Sequence, residues 1–105
     1  CLVVGEDLGT VPDEVRHGLH EAGILSYRLL IFERDFDGSF KAPADYPAQA
    51  LAAATTHDLP TLAGYWQGHD LELREALGLF ANAGQRDAQL MARARDRACR
   101  RWRWR

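Results

Sequence analysis

The chain has 105 residues, enough for one small domain; 47 % are hydrophobic and 27 % charged, a globular composition that excludes wholesale disorder. A formal net charge of -2 excludes polyanion binding by the chain as a whole. No apolar run approaches the roughly 18 residues of a membrane-spanning helix, and no charged-then-apolar leader pattern stands at the start, so no membrane partner is expected.

Leu2-Val3-Val4 is short, apolar and β-branched, which predicts a strand over Leu2–Gly5 buried on both faces and ending at Glu6-Asp7. Thr10-Val11-Pro12-Asp13 then reads as a helix start, with Thr10 as the cap, Pro12 in the first turn and acids where the helix dipole favours them. Val11, Val15, Leu19 and Ala22 make one apolar stripe, and Gly23 supplies a stop. Tyr27–Phe32 reads as a second strand, followed by the acidic stretch from Glu33 to Ser39 with a turn at Asp37-Gly38. Pro43 and Pro47 keep the next segment irregular. Leu51–Thr55 is a third strand that leads into His57-Asp58. Asp70 resembles a cap for a helix through Leu71, Leu73 and Leu77, and an Arg/Ala-rich helix is expected from about Asp87 to Cys99.

Charge is uneven along the chain. Residues 1–85 hold 5 basic and 13 acidic residues, a net −8, whereas residues 86–105 hold 8 Arg and 2 Asp, a net +6. Residues 1–85 are therefore expected to form one part and residues 86–105 an Arg-rich helical or truncated tail. Cys1 and Cys99 make neither a metal-type spacing nor a disulfide framework, which points to a reducing compartment. The chain opens on Cys1 instead of Met, from which a processed chain or a piece of something longer is expected.

Strand–helix–strand–loop–strand–helix is α/β patterning with parallel strands. Three buried strands do not close a sheet, and a parallel sheet needs both faces covered. The expected fold is accordingly an arc of a larger α/β structure, most economically a partial (β/α)₈ TIM barrel of about three parallel strands with helices.

Two of these strands lead at their C-terminal ends into acids: Glu6 and Asp7 after the first, Asp58 after the third. Active-site groups of a parallel barrel come from such ends. A carboxylate pair placed there suits glycosidic-bond chemistry, which needs one acid to protonate the leaving oxygen and others to stabilise the cationic sugar. Taken alone, each residue has a plainer reading: Glu6 and Asp7 as acids flanking a helix, His57 as a structural histidine.

The context changes that balance. The run Val4-Gly5-Glu6-Asp7-Leu8-Gly9-Thr10-Val11-Pro12 resembles a signature of the 4-α-glucanotransferases, also called amylomaltases or disproportionating enzymes (glycoside hydrolase family 77). Thr55-Thr56-His57-Asp58-Leu59-Pro60-Thr61-Leu62-Ala63-Gly64-Tyr65-Trp66 resembles a second one, and Tyr27–Glu33 and Ala42–Pro47 are also similar to the bacterial form. Two long motifs in order at the family's spacing are a specific signal. The likeness runs from about residue 2 to Leu79.

The resemblance implies the following roles. Glu6 matches the family's general acid/base, Asp58 its transition-state-stabilising acid, and His57 the neighbouring sugar-binding histidine. Asp7 is placed with His57 in the substrate-binding group on its position beside Glu6, in a supporting role: it orients Glu6 or caps the helix. The reaction is retaining and passes through a glycosyl ester, and the partners are maltooligosaccharides or α-1,4-glucans, with no cofactor and no metal. The location implied is cytoplasmic. The family's nucleophile is an aspartate in a segment resembling Arg-Ile-Asp-His-Phe-Arg, and only five residues precede Glu6 here. A C-terminal barrel fragment, inactive by itself, is therefore expected.

Tyr65 and Trp66 suit either sugar stacking or packing, and Glu33 reads as a solvated loop acid. Arg93, Arg95, Arg97, Arg100, Arg101, Arg103 and Arg105 with Trp102 and Trp104 have the composition of a nucleic-acid-binding tail, but a charged surface helix is the favoured reading and nucleic acid is not an expected partner. A plain α-glucan hydrolase is the rival enzyme, since transfer and hydrolysis differ by water exclusion at the acceptor site.

Overall fold

The computed structural model describes residues 1–99, in two compact units, Cys1–Ala54 and the chain from Thr55 onward. In the first unit β1 (Val4–Gly5), β2 (Leu25–Leu29) and β3 (Ala50–Ala53) form a three-stranded sheet in the order β1-β2-β3. Both pairings are parallel, with Val4 opposite Leu25 and Ser26 opposite Ala50. The helix α1 (Asp13–Glu21) makes the crossover between β1 and β2 and packs on β2, as a parallel pair requires. The parallel direction of the three strands is that expected from the sequence.

The strand boundaries differ. β2 begins two residues before Tyr27 and stops at Leu29. Leu30 N–H still donates to Ala53 at the end of β3, but Phe32 and Glu33 N–H both turn back to the Leu29 carbonyl, at 2.9 and 3.0 Å. The apolar run to Phe32 continues as a turn because its pairing partner has ended. Ile31 thereby joins Leu29 and Phe40 in the core, while Phe32 faces solvent. β1 is not buried on both faces either: Leu2, Val3 and Val4 are exposed along a strand paired only with β2.

α1 starts at Asp13 with Pro12 at the N-cap and no side-chain cap bond, so Thr10 does not cap it. Thr10 instead sits at the centre of a three-residue turn closed by Val11 N–H to the Gly9 carbonyl. Gly23 ends α1 at φ 71°, with Gly23 N–H on His20 O and Ile24 N–H on Leu19 O, both 3.0 Å. These two bonds make a Schellman motif, which requires left-handed backbone at Gly23. Gly23→Ala is expected to cost about 1 kcal/mol, measured by urea unfolding, because a Cβ opposes that conformation even with space around it.

Between β2 and β3 the chain makes a hairpin, in which Asp35 N–H donates to Ser39 O and Gly38 N–H to Asp35 O, and then a 3₁₀ turn at Pro43–Asp45. The turn expected at Asp37-Gly38 is present, with Gly38 at φ 81°.

The second unit is helical: α2 (Leu62–Gln67), α3 (His69–Ala76) and α4 (Ala83–Ala98). α2 extends the helical part beyond the two helices expected here. Thr61 caps it, its hydroxyl accepting Gly64 N–H at 3.1 Å. Thr61→Ala is expected to cost about 1 kcal/mol and to loosen the segment just before α2; amide exchange at Gly64 and Tyr65 reads that directly. Gly68 serves as the N-cap of α3, so Asp70 is an internal first-turn residue instead of the cap. α4 starts four residues before Asp87, capped by Asn82, whose side chain accepts Gln85 N–H at 2.9 Å. The charge break at residue 85 thus falls inside a helix. Residues 100–105, which hold most of the Arg/Trp tail reading, lie outside the described residues.

Candidate active site

The site is built at the C-terminal end of β1. Successive residues of an extended chain point opposite ways, and Glu6 and Asp7 do so: Glu6 is exposed and Asp7 is buried. The corner is tight. Asp7 N–H donates to the Gly5 carbonyl at 3.0 Å, a three-residue turn centred on Glu6. Asp7 Oδ1 accepts Tyr27 N–H from β2 at 2.8 Å, which caps the β1–β2 ladder at this end. Its Oδ2 takes Arg16 Nη1 of α1 at 3.1 Å and lies 4.0 Å from Arg28 Nη2 of β2. The Asp7 side chain keeps only 2 % of its surface exposed. Both oxygens are engaged by protein groups, the Tyr27 N–H and the Arg16 guanidinium.

The charges continue inward. Arg28 Nη1 stands 3.5 Å from Glu33 Oε1, and Lys41 Nζ donates to Glu33 Oε2 at 3.0 Å. Glu33 is therefore buried and paired, not a solvated loop acid. The nearby Tyr46 hydroxyl is buried without a hydrogen-bond partner among the described residues. Burial pushes its pKa above the ordinary phenol value, and the Glu33 charge adds to the effect. Nothing local marks Arg16, Arg28 or Lys41 in the sequence, since each acquires its meaning from a carboxylate five to nine residues away. On the α1 side, Asp7, Arg16, Ser26 and Arg28 line a cavity of about 380 Å³ with Leu19 and Ile24.

In the second unit, His57 and Asp58 occupy a turn closed by Leu59 N–H to Thr56 O at 3.3 Å. The Thr56 hydroxyl accepts Asp58 N–H, and the Thr55 hydroxyl donates to the Pro60 carbonyl at 2.8 Å. The turn presents the two side chains together to solvent, with His57 Nε2 3.3 Å from Asp58 Oδ1 and both largely exposed. An imidazole beside a carboxylate offers a hydrogen-bond donor and an acceptor side by side, a pair that suits two adjacent hydroxyls.

Tyr65 is engaged in packing. The Arg93 guanidinium lies 3.5 Å from its ring centroid, and its hydroxyl donates to Asp96 Oδ2 at 2.5 Å. Arg93 also donates to the Tyr65 carbonyl and pairs bidentately with Asp70, at 2.7 and 2.8 Å. The Arg93 hydrogen bonds hold the Asp70 carboxyl below its ordinary value, against the opposing effect of burial. Arg93, grouped by sequence with the basic tail, is thus buried within the fold. Among the described residues no group of three or more His, Cys, Asp or Glu is placed to hold a metal ion, and no helix is long and apolar enough to cross a membrane.

The chain as a whole is similar to known proteins. A crystal structure of amylomaltase from Corynebacterium glutamicum superposes on 89 % of this chain with a TM-score of 0.75 and 36 % identity, over 13 % of that protein. The 4-alpha-glucanotransferase of Haemophilus influenzae is 51 % identical over 80 residues, covering 76 % of this chain and 11 % of the relative. That of Mycobacterium tuberculosis (strain H37Rv) is 44 % identical over 105 residues, covering 93 % of this chain and 14 % of the relative. The sequence pattern of the 4-alpha-glucanotransferase family, glycoside hydrolase family 77, matches residues 1–103. The chain belongs to that family, a family of transferases. It spans 11 % to 14 % of the length of these relatives.

Proposed function

We propose that this chain is an arc of a (β/α)₈ barrel and that the whole enzyme transfers α-1,4-glucan segments between maltooligosaccharides in the cytoplasm. The observation that carries the reading is Glu6, an exposed carboxylate at the C-terminal end of a parallel strand within a chain matched by the family over residues 1–103. Glu6 is the general acid/base: it protonates the departing glycosidic oxygen, then takes the proton of the incoming 4-hydroxyl. The first step breaks the glycosidic bond and forms an ester to an aspartate supplied by another segment of the enzyme. The second transfers the glycosyl group from that ester to the acceptor oxygen, with retention. Asp58 and His57 hold sugar hydroxyls, and Asp58 tightens on the ring as it flattens toward the transition state.

Incubation of the whole enzyme with maltotriose tests the reading. Longer maltooligosaccharides together with glucose are expected, whereas only shorter sugars would identify the hydrolase. The 105-residue chain expressed alone is expected to give no longer product, because an acid/base without a nucleophile has no ester to form or cleave. Disproportionation by the isolated chain would place the nucleophile within these residues and overturn the assignment.

A further inference from the structure

We propose that Asp7 is the positioning residue of the acid/base: its buried carboxylate, anchored on β2 and α1, sets the direction in which Glu6 leaves the sheet. The inference rests on the reading of Glu6 given above and adds a second residue to it. Glu6 sits between two points that cannot move independently. Before it, Gly5 is held in the ladder opposite Ser26, and a Cβ there would stand 3.2 Å from Ile24 and 3.3 Å from Leu19, so the backbone is packed against the end of α1. After it, Asp7 is fixed by its own side chain, with Tyr27 N–H on one oxygen and Arg16 on the other.

The three-residue turn from Gly5 O to Asp7 N–H closes the corner, and among the described residues none other than glycine has positive φ, so the turn is of the relaxed, inverse kind. A turn of this sort is weak by itself. Without the Asp7 anchors, the first residue beyond β1 would be free to swing, and Glu6 with it. Arg16 spans the corner, since its second terminal nitrogen reaches the Gly9 carbonyl at 3.3 Å and ties the segment after Asp7 to α1. Arg28, shared between Asp7 and Glu33, couples the same anchor to the buried pair with Lys41. The carboxylate does not touch substrate. It acts on the reaction by keeping the proton of Glu6 within reach of the glycosidic oxygen, where a displacement of about 1 Å costs on the order of 10²-fold.

The test compares two donors in the whole enzyme. Maltotriose needs a proton on its leaving oxygen; α-maltotriosyl fluoride releases fluoride without one. Asp7→Ala is expected to lower turnover of maltotriose by about 10- to 100-fold while initial fluoride release stays within about threefold of wild type. Equal losses on both donors would mean a general structural defect and would overturn the proposal, as would no loss on either. Glu6→Gln run alongside separates the two readings. If it lacks the selective loss, the acid/base assignment falls; if it shows the loss and Asp7→Ala does not, only the positioning role falls. Should Asp7→Ala not fold, Asp7→Glu carries the same comparison. It keeps the charge opposite Arg16 but lengthens the side chain by one methylene, and the same selective loss is expected.

Discussion

Glu6→Gln in the whole enzyme is expected to lower glucan transfer by on the order of 10²–10⁴-fold, if Glu6 is the proposed acid/base, and to leave the melting temperature where it was. The two halves of this expectation have separate causes. Gln matches Glu in shape and keeps an acceptor oxygen but carries no exchangeable carboxyl proton, so both the protonation of the leaving oxygen and the deprotonation of the acceptor hydroxyl are lost. The side chain is exposed, so its replacement removes no buried contact, and surface changes of this kind stay within about 0.5 kcal/mol. Asp58→Asn, also exposed on its turn, is expected to cut turnover severely as well, with a smaller change in KM, because in the proposed role its contact with the sugar strengthens in the transition state. Product chromatography with maltotriose and a thermal melt read both variants. Wild-type rates in Glu6→Gln would remove Glu6 from the reaction.

The parts of the fold that were legible in the sequence are those set by local pattern. Three apolar runs and a helix ended by Gly23 read as a strand–helix–strand unit with a third strand, and the sheet has the order β1-β2-β3. Pairing decides where a strand stops, which is why Leu30–Phe32 reads as strand and folds as a turn. α2 was hidden by composition: Gly64, Tyr65 and Trp66 are weak helix formers, and the Thr61 cap that starts the helix shows only in the structure. Asp70 has the chemistry of a cap, but Gly68 holds that position and the Asp70 carboxylate pairs with Arg93, 23 residues away. The same holds at the site. The exposure of Glu6 and of the His57–Asp58 pair follows from where the strands and turn leave them. The burial of Asp7 and Glu33 depends on Arg16, Arg28 and Lys41, whose arrival no spacing announces.

Arg93→Ala is the substitution expected to damage the second unit most, by about 2–4 kcal/mol of unfolding free energy. Arg93 is 6 % exposed and is the hub of α2, α3 and α4: its guanidinium covers the Tyr65 ring, donates to the Tyr65 carbonyl and pairs through both terminal nitrogens with Asp70. Truncation leaves the Asp70 carboxylate without its partner and the Tyr65 ring without its cover. The figure falls below that of a fully buried pair because the Asp70 side chain keeps 19 % of its surface exposed. Arg93→Lys keeps a charge but loses the fork, so it should recover only part of the loss. The pair also leaves a signature in pH. Arg93 holds the Asp70 pKa below its ordinary value of 3.8, so the unfolded chain binds the proton first as pH falls. The stabilisation is complete above the unfolded pKa and is lost as pH drops below about 4 through the depressed one. Urea unfolding from pH 6 down to pH 3 should therefore show wild-type stability falling in the acid window, with that part of the slope absent in Arg93→Ala. An unchanged slope would mean that the Asp70 carboxylate gains nothing from Arg93, and the pairing would not account for the acid loss of stability.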